Sequence, residues 1–250
     1  VVIPLPTRHP LLWYIYFEIL LPIYIKRYKI DLFLSPDGYI PTWGKIKTLP
    51  VIHDINYEHD PSFMGRKSYL RYYKHFFPIF AKKATRVATV SEFSRRDIAS
   101  VYQIAENKID VVYSAAKEEY KPCSKEEIVA TKARYTDSKD YFYFVGSLHK
   151  RKNLANLFRA FDLFKTETQS DVKLVIVGSK MWWKGEVAEA FEAMKYKDEV
   201  IFTSRLSTEE VNRIASASIA CMFVSLFEGF GVPPLEAFRS GTAAVVSDVT

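Results

Sequence analysis

Residues 219–246 read IACMFVSLFEGFGVPPLEAFRSGTAAVV. They predict a strand, a glycine-rich turn, a helix and a second strand. The run Ile219–Val224 is short and apolar, as is typical of a strand buried inside a parallel sheet. The prolines at 233 and 234 predict the start of a helix, because proline is well tolerated in a first helical turn. Gly241 predicts its end, and the last strand follows over Ala243–Val246. This order indicates an α/β fold.

Two carboxylates flank the turn in this stretch. Glu228 follows the predicted strand, and Glu236 lies in the first turns of the predicted helix. The glycines let a ligand approach the backbone closely, and the N–H groups at a helix start suit a phosphate. Carboxylates bind phosphate poorly but accept hydrogen bonds from sugar and ribose hydroxyls. The segment therefore predicts a site for a phosphorylated polyol. The alternative is that Glu228 caps the helix and Glu236 is a surface residue.

The alternation of short apolar runs and helical segments extends along most of the chain. It predicts parallel α/β sheets with right-handed crossovers, whose ligands bind at the carboxyl ends of the strands. Residues 117–140 are polar and interrupt this rhythm, which favours a junction between domains. We expect a partial N-terminal domain over residues 1–122, a linker over residues 123–139, and a partial nucleotide-binding domain over residues 140–250.

The surplus of positive charge lies in the first half of the chain. Residues 1–122 hold 18 Lys and Arg against 12 Asp and Glu, whereas the remainder holds 17 of each. No acid occurs between 61 and 91, where aromatic residues alternate with basic ones that include Arg66, Lys67, Arg71 and Lys74. Such a stretch suits an anionic membrane, a phosphorylated lipid or a nucleic acid. The alternative is a solvated helix face beside a stripe of core residues.

The sequence favours a reduced, cytosolic setting. The apolar run Leu11–Ile25 is shorter than the roughly 20 residues that span a bilayer, and it contains Glu18 and Pro22. We expect this run to form a buried or interfacial helix. No signal peptide is visible, and the two cysteines, Cys123 and Cys221, are too far apart to indicate a metal site or a disulfide framework.

Four segments resemble, in order and spacing, the retaining GT-B glycosyltransferases of family 4. Residues 228–236 resemble that family's motif of two glutamates with seven residues between them. Residues 146–154, GSLHKRKNL, resemble its strand–turn–helix segment with a pyrophosphate-binding lysine. Residues 90–97, VSEFSRRD, and 51–54, VIHD, resemble its acceptor-side segment and its His-Asp segment. The resemblance covers the chain from about residue 50 and implies two Rossmann-like domains that face a cleft.

The resemblance also implies roles for single residues. Glu236 would bind the ribose hydroxyls of a nucleotide, and Glu228 would contact the donor sugar. Lys152 would pair with the diphosphate and stabilise the leaving group, and His53 would lie near the donor sugar. The other implied donor contacts are Gly146, Ser147, Arg151, Gly229, Phe230 and Gly231.

Ser147 is the departure from the family's pattern that bears on the donor site. Many relatives carry arginine where this chain has Ser147, so Lys152, helped by Arg151, would have to supply the positive charge. The implied reaction moves a sugar from a UDP- or GDP-linked donor to a hydroxyl with retained configuration, as mannosyl- and glucosyltransferases do. We expect neither a cofactor nor a metal, because the sequence holds no Asp-x-Asp element and no His/Cys cluster suited to a metal.

The acceptor side is predicted from charge. The basic residues between Arg66 and Arg86 lie in the half of the chain that, by the resemblance, would bind the acceptor. They favour docking on an anionic membrane, where a lipid-linked acceptor or a glycan such as a polysaccharide is presented. We therefore expect a cytoplasmic protein that is peripheral on the inner face of the cytoplasmic membrane. The chain also looks incomplete, because it opens without a glycine-rich strand-to-helix turn and stops directly after a strand.

Three other functions are open at this point. A nucleotide-sugar epimerase shares the two-domain frame, although as a rule it lacks the Glu-Gly-Phe-Gly segment. A GT-B module could also bind a nucleotide without turnover. A nucleic-acid binder would agree with a pI near 9.1, but the charge surplus is modest and no nucleic-acid motif is present, so we expect no nucleic-acid partner.

Overall fold

A computed structural model describes residues 10–179, 183 and 185–249 of the chain. The chain divides into two compact units, Val1–Ser114 and Ala115–Thr250. In both units the described strands pair in parallel and are joined by helices, so the predicted α/β class is confirmed.

Parallel strands and helices alternate in the first unit. Strand β1 (Leu32–Ser35) pairs with β2 (Lys47–Pro50), and β3 (Val87–Thr89) pairs with β4 (Ile109–Val111). A single bridge from Val51 to Ala88 joins the two pairs. The helices of this unit are α1 (Pro10–Ile15), α2 (Leu21–Arg27), α3 (Asn56–His59), α4 (Lys67–Lys83) and α5 (Glu92–Tyr102).

The apolar run near the start of the chain forms one continuous helix, because a π-helical turn at Tyr16–Leu20 joins α1 to α2. Phe17 and Leu21 on this helix are buried, so one of its faces packs inside the unit. Glu18 is buried as well, and its carboxylate accepts hydrogen bonds from the backbone N–H and the hydroxyl of Thr42 at 2.9 and 2.7 Å. Within the described residues, every helix is too short or too polar to cross a bilayer.

The second unit is built on a five-stranded parallel sheet of order β7-β6-β5-β8-β9. Its strands are β5 (Tyr141–Val145), β6 (Lys173–Val177), β7 (Val200–Thr203), β8 (Ala220–Phe223) and β9 (Ala243–Val246). Its helices are α6 (Lys125–Thr136), α7 (Leu154–Thr168), α8 (Glu186–Glu192), α9 (Thr208–Ala217) and α10 (Val232–Arg239).

Both faces of the inner strands β5 and β6 are covered, which explains why these strands are apolar without alternation. Tyr143 and Val175 pack in one cluster with residues of α9 and α10. Their chain neighbours Phe144 and Ile176 point the other way, into a second cluster with residues of α7 and α8. Successive side chains of a strand point to opposite faces, so each strand contributes to two cores.

The strand order reverses between β5 and β8. From β5 the chain proceeds outward through β6 and β7, and it then returns to place β8 on the opposite side of β5. The loops that leave the carboxyl ends of β5 and β8 therefore start side by side and lead to helices on opposite faces of the sheet. In an open α/β sheet this switch point creates the crevice in which ligands bind.

Most of the segment predicted as a linker, residues 123–139, forms α6 (Lys125–Thr136), which falls within the second unit. The Ser124 side chain accepts a hydrogen bond from the Glu127 backbone N–H, and the Glu127 carboxylate accepts one from the Ser124 backbone N–H. This capping box satisfies two backbone donors at the helix start. It is the sequence signal for α6, although the polar composition of the segment suggested a loop. The helix packs on α9 of the second unit.

Candidate functional site

Two loops at the switch point are joined by hydrogen bonds. Residues 146–153 follow β5, and residues 224–231 follow β8. The Asn153 side chain donates to the Val224 carbonyl at 3.0 Å, and the Leu226 backbone N–H donates to the Arg151 carbonyl at 2.8 Å. These bonds fix the loop that carries the basic residues against the loop that carries Glu228.

Two cations converge on the carboxylate of Glu228. Lys152 Nζ lies 2.6 Å from Glu228 Oε1, and Arg151 Nη1 lies 2.8 Å from Glu228 Oε2. Arg151 Nη1 also donates to the Phe227 carbonyl at 2.7 Å. The three charged side chains are mostly buried, with exposed fractions of 12%, 20% and 15% for Lys152, Arg151 and Glu228. Glu228 thus binds the basic loop and does not cap α10, whose N-cap is Gly231.

The ionisation of Glu228 follows from these neighbours. Burial alone would raise the pKa of its carboxyl group, but the charges of Lys152 and Arg151 outweigh burial and leave the pKa below its ordinary value. Glu228 is therefore ionised at neutral pH. The cluster of one carboxylate and two cations keeps one net positive charge at the switch point.

The turn after β5 is shaped by a close approach between backbones. A Cβ atom at Gly178 would lie 2.1 Å from the carbonyl oxygen of Gly146, so only glycine fits there. His149 Nδ1 accepts a hydrogen bond from the Arg151 backbone N–H at 3.2 Å and thereby starts the turn that presents the basic residues. Ser147, the position where relatives of the resembled family often carry arginine, is exposed beside this turn.

The Gly-Phe-Gly turn lies next to the cluster. Gly231 has a φ of +94°, which glycine adopts without strain, and an added Cβ would meet the Phe223 ring at 3.3 Å. The Lys152 ammonium lies 5.1 Å from the centre of the same ring. Gly229 is buried and Phe230 half-buried, so the turn is packed between the end of β8 and the start of α10.

Glu236 lies apart from the charge cluster, in a different environment. Burial raises the pKa of Glu236, and the nearby Tyr120 hydroxyl and the charge of Lys117 only partly offset this effect. The pKa values of these two glutamates, which are eight positions apart, are thus shifted in opposite directions. The pKa of Glu228 is lowered and that of Glu236 is raised.

A pocket of about 390 Å³ lies at the carboxyl ends of β5 and β6. Tyr120 lines it, as do Gly146 and Gly178 at the ends of β5 and β6 and Arg205 after β7. A Cβ at Gly146 would lie 3.9 Å from Lys152 Cε, so the pocket reaches the basic loop. Sequence reasoning missed Tyr120 and Arg205, because neither belongs to a motif and only the fold brings them to this edge.

His53 lies in the first unit, just after β2. Its side chain is exposed, and its Nε2 lies 3.1 Å from the Pro36 carbonyl oxygen. The neighbouring Asp54 carboxylate accepts hydrogen bonds from the backbone N–H and side-chain amide of Asn56, so it fixes the turn into α3. The role of His53 at a donor sugar stays a prediction.

The basic stretch of the first unit separates into two faces of α4. Tyr72 and Phe77 are buried in the core, whereas the side chains at four positions are exposed, namely Arg66, Lys67, Arg71 and Lys74. Lys74 lies 3.4 Å from Glu58, and Arg66 packs over the Tyr69 ring. The periodic aromatic residues are thus explained by the core, and only the exposed basic residues are left to meet a partner.

Within the described residues, no group of three or more His, Cys, Asp or Glu side chains is arranged to hold a metal ion. Both cysteines are free thiols, and Cys221 is buried in the core, which raises its pKa to about 11. The ionisable side chains at the switch point therefore belong to the sequence motifs and to the residues that line the pocket.

Two family models match the chain in succession. The model described as "Glycosyl transferases group 1" matches residues 125–250, which is half of the chain. The model described as "Glycosyltransferase Family 4" matches residues 1–119. The second match ends close to the boundary between the two units.

Individual relatives agree with these matches. An "O-antigen chain mannosyltransferase RfbU" of Salmonella typhimurium is 27% identical over 96% of this chain and 63% of its own length. The structure of WaaG, a glycosyltransferase of lipopolysaccharide biosynthesis, superposes with a TM-score of 0.76 at 14% identity, over 99% of this chain and 68% of that one. Anabaena HepE with UDP and glucose gives 0.71 at 14% identity, over 92% and 62%. This chain thus spans about three fifths of the length of RfbU. The two solved structures share the fold of this chain.

The ion pairs of Glu228 predict a pH-dependent contribution to stability. We expect Glu228→Gln to lower the free energy of unfolding by about 1–3 kcal/mol at neutral pH, because it leaves two largely buried cations without their carboxylate. The folded-state pKa of Glu228 is lowered, so this contribution is complete above the unfolded-state pKa of about 4.3 and disappears as the pH falls through the folded-state value. Urea denaturation of both proteins over a pH series measures the difference.

The matched control is Glu209→Gln, which removes an exposed carboxylate that lies 2.6 Å from Arg213. We expect it to change stability by less than about 0.5 kcal/mol at every pH, because exposed ion pairs contribute little. Equal stabilities of wild type and Glu228→Gln at neutral pH would contradict this account of the cluster.

Proposed function

The chain belongs to the family of glycosyl transferases group 1, and from this premise we propose that it transfers a sugar from a nucleoside-diphosphate sugar to an acceptor hydroxyl. The observation that carries the proposal is the pair of cations, Lys152 and Arg151, held together at the edge of the pocket that Gly146 lines. A diphosphate needs clustered positive charge, and a nucleoside needs an adjoining concave site.

The diphosphate binds to the cations that now contact Glu228. Both cations are mostly buried, so their interaction with a phosphate is screened less than it would be at the surface. As the donor reacts, negative charge grows on the leaving diphosphate, and cations fixed beforehand stabilise that charge without reorganising. Lys152 is the main contributor in this proposal, and Arg151 assists it.

The nucleoside occupies the pocket next to the cations. Glu236 accepts hydrogen bonds from the ribose hydroxyls, which an ionised carboxylate does well because it is purely an acceptor. The base lies between the ends of β5, β6 and β7, where Arg205 reaches it. Guanine offers Arg two acceptors, O6 and N7, side by side. We therefore propose a GDP-linked donor in preference to a UDP-linked one.

The sugar lies at the Gly-Phe-Gly turn. Glu228 and the backbone N–H groups of Phe230 and Gly231 hold its hydroxyls, and Gly229 allows the close approach. The bond between the anomeric carbon and the diphosphate oxygen breaks, and a bond from that carbon to the acceptor oxygen forms. The acceptor's proton passes to an oxygen of the leaving diphosphate on the same face of the sugar, so the configuration is retained.

A mannosyl donor and an O-antigen-type acceptor are the finer part of the proposal. They are supported by the relative from Salmonella typhimurium, which is named as an O-antigen chain mannosyltransferase. An acceptor of this kind, carried on a lipid at the inner face of the cytoplasmic membrane, would be reached by the exposed basic residues of α4. Epimerisation is the rival activity, and a product analysis with the donor alone separates the two.

The cation pair makes a prediction about diphosphate binding. We expect Lys152→Gln to weaken GDP and UDP binding about tenfold or more while leaving the affinity for the nucleoside unchanged. The reason is that, of the parts of the nucleotide, the lysine contacts only the phosphates. Donor turnover should fall by about 10²–10³-fold. Calorimetry with diphosphate and nucleoside measures the first effect. The control is Lys150→Gln in the same turn, and an equal loss in both variants would contradict the assignment.

The pocket makes a prediction about the base. We expect GDP to bind about tenfold more tightly than UDP and Arg205→Gln to remove most of that preference, because the bidentate contact to guanine is lost. Competition between the two nucleotides in one titration measures the ratio. Arg213→Gln, which changes an exposed arginine of α9 outside the pocket, should keep it. A wild-type preference for UDP would refute the guanine assignment.

The exposed basic face of α4 makes a prediction about membranes. We expect the chain to bind vesicles that contain anionic lipid, and replacement of Arg66, Lys67, Arg71 and Lys74 by Ala to weaken binding by at least about tenfold. The matched control replaces four other exposed basic residues of the same unit, Lys26, Arg27, Lys29 and Lys45. Vesicle sedimentation at two salt concentrations measures both. Unchanged binding after the α4 replacements would remove the proposal.

A further inference from the structure

We propose that His149 is a positioning residue for the diphosphate site, because its imidazole ring caps the short turn that carries Arg151 and Lys152. The cap fixes the backbone from which both cations extend before a ligand arrives. This inference rests on the proposed function, since it concerns how the two cations meet a diphosphate. His149 lies within the segment that resembles the family's phosphate turn, but the resemblance gives this histidine no role.

The cations are carried by a single 3₁₀ turn, Lys150–Lys152. Within it, the Lys152 backbone N–H donates to the His149 carbonyl at 2.9 Å, and the Asn153 N–H donates to the Lys150 carbonyl at 2.9 Å. Hydrogen bonds in 3₁₀ segments have poorer geometry than those in α-helices, and a single turn gains no cooperative support from further turns. The conformation of this turn therefore depends on the groups that bind its ends.

The His149 ring binds the amino end of the turn. Its Nδ1 accepts a hydrogen bond from the Arg151 backbone N–H at 3.2 Å, as the side chain of an N-cap residue does. An imidazole nitrogen accepts a hydrogen bond only when it carries no proton, so the ring is neutral and its hydrogen is on Nε2. The cap thus adds no charge to the cluster of two cations and one carboxylate.

The peptide groups of Arg151 are held from both sides. The His149 ring binds its N–H, and the Leu226 backbone N–H donates to its carbonyl at 2.8 Å. Its guanidinium donates to the Phe227 carbonyl at 2.7 Å and pairs with Glu228 at 2.8 Å. Arg151 therefore joins the turn after β5 to the loop after β8, and His149 is the side chain of the turn that fixes this junction.

Preorganisation explains why the cap matters for a ligand. A diphosphate that meets cations on a fixed backbone does not have to order that backbone on binding, so more of the interaction energy appears as affinity. Cations fixed beforehand also stabilise the leaving diphosphate without reorganising. Without the cap, the Arg151 N–H loses its acceptor, and the turn can adopt other conformations. In the described part of the chain, the nucleoside pocket is lined by residues other than 149–152, so nucleoside binding should not depend on the cap.

The test compares removal of the cap with its replacement. His149→Ala removes the acceptor, whereas His149→Asn supplies another one, because asparagine is among the preferred N-cap residues. Calorimetry measures GDP, UDP, guanosine and uridine on each protein. We expect His149→Ala to weaken both diphosphates about five- to tenfold and to leave the nucleosides unchanged. His149→Asn should restore the diphosphate affinity to within about twofold of wild type. A direct contact between the ring and the ligand would leave His149→Asn as weak as His149→Ala.

A matched control in the same unit is the cap of α6. The Ser124 hydroxyl oxygen accepts a hydrogen bond from the Glu127 backbone N–H at 3.2 Å, the same distance as in the His149 cap. Ser124→Ala should lower the midpoint of thermal unfolding but leave diphosphate affinity unchanged, because this cap lies outside the basic turn.

Nitrogen NMR of the histidine rings gives a second readout. The signals of His149 are those that disappear in His149→Asn. They should show a proton on Nε2 and an unprotonated Nδ1 at neutral pH. A proton on Nδ1 would contradict the cap, since that nitrogen could not then accept the Arg151 N–H.

The outcomes separate this inference from the proposed function. If wild type prefers GDP to guanosine and His149→Ala keeps that preference undiminished, the role of His149 is refuted while the diphosphate site stands. Equal weakness of the Ala and Asn variants refutes positioning by the cap. If wild type binds GDP no better than guanosine, the diphosphate role of the cations itself fails, and the inference fails with it. Weak diphosphate binding in His149→Ala that His149→Asn restores supports both.

Discussion

The candidate site depends on one electrostatic arrangement, in which the Glu228 carboxylate is bound by two cations from a neighbouring loop. Lys152 and Glu228 are 76 positions apart in the chain, yet their charged atoms lie 2.6 Å apart. Burying one carboxylate against two cations neutralises the carboxylate and leaves one positive charge in excess. A buried charge in excess costs free energy unless an oppositely charged group binds it. In a member of this family, the donor's diphosphate is the ligand that would meet it.

The fold makes this arrangement possible because β5 and β8 are neighbours at the point where the strand order reverses. The loops from their carboxyl ends meet there, and hydrogen bonds from Asn153 and Leu226 hold them together. Gly178 allows the end of β6 to approach Gly146, which opens the pocket beside the basic loop. Two clustered cations and a concave pocket are thus positioned at one edge of one sheet.

Strands and helices were predictable because their periodicity is strong. The predicted strands over 219–224 and 243–246 are observed as Ala220–Phe223 and Ala243–Val246, and the helix predicted between them is observed as Val232–Arg239. The motifs also identified Glu228, Lys152 and Arg151, although no pattern indicates that they would bind one another before a ligand arrives. The helix α6 was missed because its surface is polar, and its capping box was overlooked. Tyr120 was unpredictable, since it reaches the pocket only because the segment before α6 is bound to α9 and α10.

The central claim is that the cations on Glu228 are the diphosphate site of a nucleotide-sugar enzyme. The most direct test is a crystal structure of the chain with a bound nucleoside diphosphate. The account predicts phosphate oxygens within hydrogen-bond distance of Lys152 Nζ and the Arg151 guanidinium, and the ribose hydroxyls on the Glu236 carboxylate. A nucleotide bound elsewhere, with both cations still on Glu228 alone, would contradict it.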